Sequence, residues 1–202
     1  MKRKTTIAIL VTLIAFVMIS PAHAVPPAFG IKGDVGLTNL TGDVTGNKSM
    51  LSFGGGFLFQ YMASPQFAIQ PEAAFVLKGA KEDNPGGPEE KLKLTYVEIP
   101  VLVKFKPKMN GSIQPAIFAG PALGILVSAK AASVDVKDQF KSTDFGAVFG
   151  AGIELAAGAK GKVSFDARYA LGLSNILKDS GDISVKNGVA SFNVSYLFQM
   201  GQ

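Results

Sequence analysis

Val163-Ser-Phe-Asp-Ala-Arg-Tyr-Ala-Leu-Gly-Leu173 places Val163, Phe165, Ala167, Tyr169, Leu171 and Leu173 on one side of an extended backbone, with Ser164, Asp166, Arg168, Ala170 and Gly172 on the other. One face is apolar without a break, and the other carries opposite charges. A half-buried strand of a soluble protein shows this pattern when its apolar face packs on a core. When every strand repeats it, and the opposite face holds mostly small or charged residues, the apolar side has no second sheet to cover it. It then faces lipid.

The pattern recurs along the chain. The alternation predicts strands over 29–38, 51–61, 67–79, 92–105, 112–130, 144–156 and 163–173, and an eighth carrying Ala190, Phe192, Val194, Tyr196 and Phe198. Polar, Gly- and Asn-rich stretches at 39–49, 80–91, 131–142 and 175–187 read as loops, and 62–66, 107–111 and 157–161 as short turns. Long and short connections thus alternate strictly, with both chain ends on the short-turn side. This is the layout of an even-stranded antiparallel barrel with short periplasmic turns and longer external loops. The fold expected is all-β, an eight-stranded antiparallel up-and-down transmembrane β-barrel. Aromatics gather at the short-turn end (Phe59, Tyr61, Phe67, Phe105, Phe165, Tyr196, Phe198), as in an interfacial girdle. Two features resist the register. Leu92, Leu94 and Tyr96 sit on the polar parity of the fourth strand, which suggests a bulge or an extension beyond the membrane, and Pro115 and Pro121 interrupt the fifth. Ser128 falls on the inward parity of that fifth strand.

The first residues read as a targeting segment. Lys2, Arg3 and Lys4 precede an apolar run over 7–19, and Ala22-His23-Ala24 has the small-x-small form of a cleavage site, so a signal peptide over 1–24 and a mature barrel over 25–202 are expected. Its removal lowers the formal charge from +5 to +2, which takes away the basic excess a nucleic-acid partner would need. The only histidine, His23, leaves with it, and the chain has no cysteine. The usual ligands for zinc, the usual general base and any disulfide are therefore missing from the mature chain.

One constellation of charge remains, on the inward parity: Lys32, Asp34, Glu72, Lys78, Glu98, Lys104, Glu154, Asp166 and Arg168. Glu72 is expected near Glu98, and Asp166 and Arg168 near Glu154, so paired carboxylates could in principle serve as general acid and base. A barrel of about eight strands, however, has an interior just wide enough to be filled by side chains, and charges buried there need partners. The reading is an interlocking network with no catalytic, cofactor or metal site. Gly146 to Gly152 lacks the Lys-Ser/Thr of a phosphate loop. Asp135, Asp138, Asp179 and Asp182 lack calcium-ligand spacing and read as solvated loop charge. The acceptor triplets at Asn39, Asn47 and Asn110 are of the kind short polar loops produce by chance.

From Gly30-Ile-Lys-Gly-Asp-Val-Gly-Leu-Thr-Asn-Leu40 onward the sequence resembles the PorT-like outer-membrane β-barrel domain family of Bacteroidetes-type bacteria, part of the OmpA/OmpX-type barrels. The likeness continues through Ile69-Gln-Pro-Glu-Ala-Ala-Phe75, Leu94-Thr-Tyr-Val-Glu-Ile-Pro-Val-Leu-Val-Lys104, Ala119-Gly-Pro-Ala-Leu-Gly124, Phe145-Gly-Ala-Val-Phe-Gly-Ala-Gly152 and Arg168-Tyr-Ala-Leu-Gly-Leu-Ser-Asn-Ile176. The resemblance implies an outer-membrane barrel that meets the lipid bilayer and the barrel-assembly machinery, with no shared reaction. Such barrels usually finish on an aromatic, whereas Gln199, Met200, Gly201 and Gln202 follow Phe198 here. The function expected is structural or surface-interactive, with a surface ligand met through four external loops. Two alternatives stand beside it. A narrow pore for small solutes is one. The other is a soluble periplasmic lipocalin-like barrel for a small apolar ligand, which inverts the polarity: Phe57, Phe75, Ile117, Phe149 and Tyr169 inside, Asp166 and Arg168 in water.

Overall fold

The structure, a computed structural model, describes residues 26–82, 90–109, 111–158, 160–179 and 181–200. The expected signal segment with Ala22 and Ala24, most of the loop 80–91, Asn110, Gly201 and Gln202 lie outside the described residues.

Eight long strands form the wall: β1 (Ala28–Gly42), β3 (Met50–Met62), β4 (Phe67–Glu82), β5 (Lys91–Phe105), β6 (Ile113–Ala131), β8 (Thr143–Ala156), β9 (Gly161–Gly172) and β10 (Val185–Gln199). Two short ones, β2 (Asn47–Lys48) and β7 (Val134–Asp135), extend the rim at the long-loop end. Each long strand pairs antiparallel with its neighbours in sequence, and β10 returns to β1, so the sheet closes. The strands run further than the sequence periodicity suggested at the long-loop end. β1 continues to Gly42 and β10 begins at Val185, so 39–42 and 185–187, read as loop, are wall.

Polarity follows the alternation. Phe57, Phe75 and Ile117 are 57%, 61% and 61% exposed on the outer face, whereas Asp166 and Arg168 are 1% and 8% exposed inside. That overturns the lipocalin-like alternative, because its cavity-lining residues are the ones facing out. Aromatic pairs at the short-turn end, Phe67 with Phe105 at 5.2 Å and Tyr196 with Phe198 at 4.6 Å between ring centres, reinforce the outer surface there.

The two resistant features resolve physically. β5 keeps its alternation, and the irregularity sits in β6: Thr95 pairs with Ser128 and Tyr96 with Leu126, leaving Val127 as the extra residue of a bulge. The bulge flips the end of β6, so Ala129 is buried and Ser128, expected inside, is outward. Pro121 sits where the β5–β6 pairing skips residues 120–121, and Pro115 lies beyond its last pair, Phe105 with Ile117. The β6–β8 ladder runs unbroken past both prolines, so neither is asked for a donor it lacks.

Leu94 and Tyr96 point inward because they belong to an apolar cap. With Leu126, Ala129 and Val185 they enclose Phe140 and Ile176, which enter from the connections 132–142 and 173–184. Backbone bonds tie these two connections together: Lys141 N–H donates to Ile176 O at 2.8 Å and Lys178 N–H to Gln139 O at 2.9 Å. A 3-10 turn, Lys137–Gln139, delivers Phe140 to its place.

Candidate functional site

Below the cap the interior is filled with charge arranged in two tiers. In the lower tier the Arg168 guanidinium grips Glu72 through Nη1, at 3.0 and 2.8 Å from its two oxygens, while Nη2 donates to Asp166 Oδ2 at 2.9 Å. Lys32 Nζ reaches the same Glu72 at 2.9 Å, and Gln70 donates to it at 2.7 Å. Asp166 also accepts from Ser164 at 3.0 Å. Nearer the short turns, Glu154 receives Lys106 at 2.7 Å, Gln60 at 3.0 Å and Lys104 at 3.3 Å; Lys104 lies 3.8 Å from Asp166 and so joins the two groups.

In the upper tier Lys78 forms an ion pair with Glu98 and lies 3.7 Å from Asp144. Asn187 donates to Asp144 at 2.9 Å, and Ser174 caps the other oxygen of Asp144 at 2.9 Å. Lys78 also stands 5.1 Å over the ring of Tyr96, while Lys104 and Arg168 stand 5.4 and 5.1 Å from that of Phe118. Charge so deeply removed from water needs this density of opposite partners. Glycines make the room: a Cβ on Gly152 would lie 2.2 Å from Asp166 Oδ1, and one on Gly54 2.5 Å from both carboxylate oxygens of Asp34.

All nine inward charges singled out in the sequence, Lys32, Asp34, Glu72, Lys78, Glu98, Lys104, Glu154, Asp166 and Arg168, lie within the barrel, but two of the expected neighbour relations differ. Ala74, and not Glu72, faces Glu98 across the β4–β5 ladder, so these two carboxylates belong to different tiers. Glu154 faces Ser164; it meets Asp166 only through Lys104, while Arg168 turns to Glu72. Sequence reasoning missed Lys106, whose shared parity with Lys104 would have flagged it, and did not join Asp144, Gln60, Gln70 or Asn187 to the network. Lys106 escaped because it follows the last residue of β5. Between the tiers a cavity of about 30 Å³ is lined by Asp34, Asn193 and Arg168 among others. Asp34 Oδ2, Asn193 Oδ1 and Arg168 Nε make no hydrogen bond among the described residues. A space of this size and polarity suits ordered water.

A closed eight-stranded barrel with an apolar outer band and a charged, filled interior defines an integral membrane barrel of the outer-membrane type. The sequence profile of the outer membrane protein β-barrel domain matches residues 28–178, and the chain belongs to that family. The protein is therefore a resident of the outer membrane. Among solved structures, the Neisserial surface protein A (NspA) is similar at 16% identity with a TM-score of 0.55, covering 83% of this chain and 97% of its own. OprG of Pseudomonas aeruginosa is similar at 15% identity with a TM-score of 0.56, covering 90% of this chain and 99% of its own. No curated protein matches the sequence significantly.

Proposed function

We propose that this protein is a non-catalytic outer-membrane scaffold whose work is done at its external end, where the loops meet a surface ligand. The observation that carries this reading is the filling of the interior: two tiers of paired charge under an apolar cap built from Leu94, Tyr96, Leu126, Phe140 and Ile176. A barrel so filled offers solutes no broad passage and leaves recognition to the rim. The cap also bears on the expectation of four external loops. Connections 132–142 and 173–184 are bound to each other over the barrel mouth, and 43–49 joins them through Asp43, whose N–H donates to Ser184 O and whose carboxylate accepts from Ser184 N–H, each at 2.8 Å; in this reading the loop 81–91 is the recognition element to test first. The interior network Lys32, Asp34, Glu72, Lys78, Glu98, Lys104, Glu154, Asp166 and Arg168 serves in this reading to stiffen the wall. The same reading includes export by a signal peptide cut after Ala24, insertion by the barrel-assembly machinery, and a place among the PorT-like barrels of Bacteroidetes-type bacteria.

The test is to replace each external connection in turn by a short Gly-Ser link in the full chain. Cells displaying each variant are compared for adhesion to immobilised polysaccharides and proteins. Loss of adhesion when the loop 81–91 is replaced, and a purified barrel that conducts no ions in planar bilayers, is the expected outcome. Adhesion indifferent to all four replacements would end the loop reading, and unitary ion currents through the intact barrel would replace it with the narrow pore.

A further inference from the structure

At the external mouth a hollow lies above the apolar cap, and the strand register explains it. Ala80 of β4 pairs with Leu92 of β5, and Leu92 pairs with Ala131 of β6, so the three form one row across the inner face of the rim. Leu92 shares the inward parity of Leu94 and Tyr96, and the bulge at Val127 brings Ala131 onto the same parity as buried Ala129. A single methyl on either side of Leu92 leaves a depression there. Leu40 of β1 and Val44 complete the floor: with Leu92 they pack against the cap on one side and line the hollow on the other.

The remaining wall is an arch of chain pinned at both ends. Where it leaves β1, Asp43 N–H donates to Ser184 O and the Asp43 carboxylate accepts from Ser184 N–H, each at 2.8 Å. At its far end Asn47 and Lys48 pair with Glu82 and Lys81 of β4. Between these points Gly46 turns the chain at a φ of +76°, and a Cβ on it would meet nothing within 4 Å, so open space adjoins the arch. Arch and row together bound a volume of about 270 Å³. Sites for drug-sized molecules hold about 300–1,000 Å³, so this one has room for a small ligand. The pinned arch makes it pre-formed, which lowers the cost of binding.

The lining states what fits. The floor is aliphatic, because the rings of Tyr96 and Phe140 lie buried in the cap beneath it and offer no face for a sugar or base to stack on. Charge at the rim comes in both signs on neighbouring residues, Glu90 beside Lys91 and Lys81 across from Lys91, so neither an anion nor a cation is singled out. One polar group still wants a partner. Asn47 lines the hollow, and its buried Oδ1 accepts no hydrogen bond among the described residues. An acceptor taken from water without a donor costs stability, and a hydroxyl or amide N–H entering the hollow supplies that donor.

We propose that this hollow binds a small, uncharged aliphatic molecule carrying a hydroxyl or amide donor, with its chain on Leu40, Val44 and Leu92 and its donor on Asn47 Oδ1. Entry is from outside the cell, above the cap, so binding requires no passage through the barrel. The site concerns a small molecule in a pre-formed cavity and not adhesion to a polymer or protein, so one reading can fail without the other.

The test titrates the isotope-labelled, full-length barrel in phosphatidylcholine nanodiscs with 1,2-hexanediol, a short chain with both hydroxyls at one end, and follows the backbone amides by NMR. Saturable shifts are expected at Val44, Gly46, Asn47 and Leu92, while the lipid-facing Phe57 and Phe75 amides drift without saturating as the diol enters the lipid. Hexanoate and hexylammonium should bind more weakly than the diol. Ala131→Leu fills the depression and should abolish saturation. Asn47→Ala, in the connection and not in the barrel wall, covers the case in which that variant does not fold; it should weaken binding about fivefold, the worth of one hydrogen bond. Val134→Ala, on the exposed β7, should leave binding unchanged. Shifts that never saturate at the arch, an Ala131→Leu barrel that binds like the wild type, an Asn47→Ala barrel with no loss, or tighter binding of either ion would overturn the site.

Discussion

Arg168→Met removes the hub of the lower tier. In the wild type its guanidinium makes two bonds to Glu72, of 3.0 and 2.8 Å, and one of 2.9 Å to Asp166, from a side chain only 5% exposed. After the change Glu72 keeps Lys32 at 2.9 Å and Gln70 at 2.7 Å, whereas Asp166 keeps Ser164 at 3.0 Å and a distant Lys104 at 3.8 Å. Breaking a buried pair from one side costs about 3–5 kcal/mol, and because Lys32 remains on Glu72 the lower end, about 3 kcal/mol, is expected. Glu72→Met should cost a similar amount, since it strands Arg168 on Asp166 alone and leaves Lys32 with Asp34 at 3.9 Å. The double variant should fall short of the sum by about 1–3 kcal/mol, the coupling expected of groups in one network. Because the sequence contains no tryptophan, the assay is urea unfolding in detergent micelles followed by far-ultraviolet circular dichroism. Single variants within about 1 kcal/mol of the wild type, or a double variant equal to the sum, would refute the claim that these charges act as one buried unit.

Two further outcomes follow from the wall and the cap. Phe57→Lys places a charge on the lipid face, where the wild-type side chain is 57% exposed. It should cost about 2–4 kcal/mol in a bilayer if the site lies near mid-membrane, measured by the same unfolding in vesicles; a neutral effect would mean that Phe57 does not meet lipid. Phe140→Ala empties the centre of the cap and should weaken it by about 3–5 kcal/mol. The loss is local, so hydrogen exchange at the Lys141 and Lys178 amides, which donate across the two cap connections, should accelerate while the β1–β10 amides keep their protection.

The outer face was legible in the sequence because period-two alternation leaves little freedom: once Phe165 and Tyr169 face lipid, Asp166 and Arg168 must face in. What alternation cannot supply is position around the barrel. Glu72 meets Arg168 from β9, 96 residues away in sequence, and such a contact depends on how the sheet curls and staggers, a property of the closed wall and not of any one strand. The inward turn of Leu94 and Tyr96 was visible as a break in pattern, yet its meaning came from Phe140 and Ile176, and these sit in connections that have no period to read. Ser128 was misplaced for a related reason: a one-residue bulge at Val127 shifts every later residue of β6 to the other face, and no turn signal marks it.

The ladders of the wall are not equally continuous. All 15 residues of β1 find a partner on β10, whereas pairing skips residues at Pro71 between β3 and β4, at Pro100 between β4 and β5, and beside Pro121 between β5 and β6. The β6–β8, β8–β9 and β9–β10 ladders are unbroken as well, so the seam between the two ends of the chain belongs to a continuous half of the wall, and the interruptions gather on the other, from β3 to β6. A wall stitched this way has a weak side: rupture under heat or pulling is expected to start among the proline-bearing strands β3 to β6, with β1 and β10 still joined.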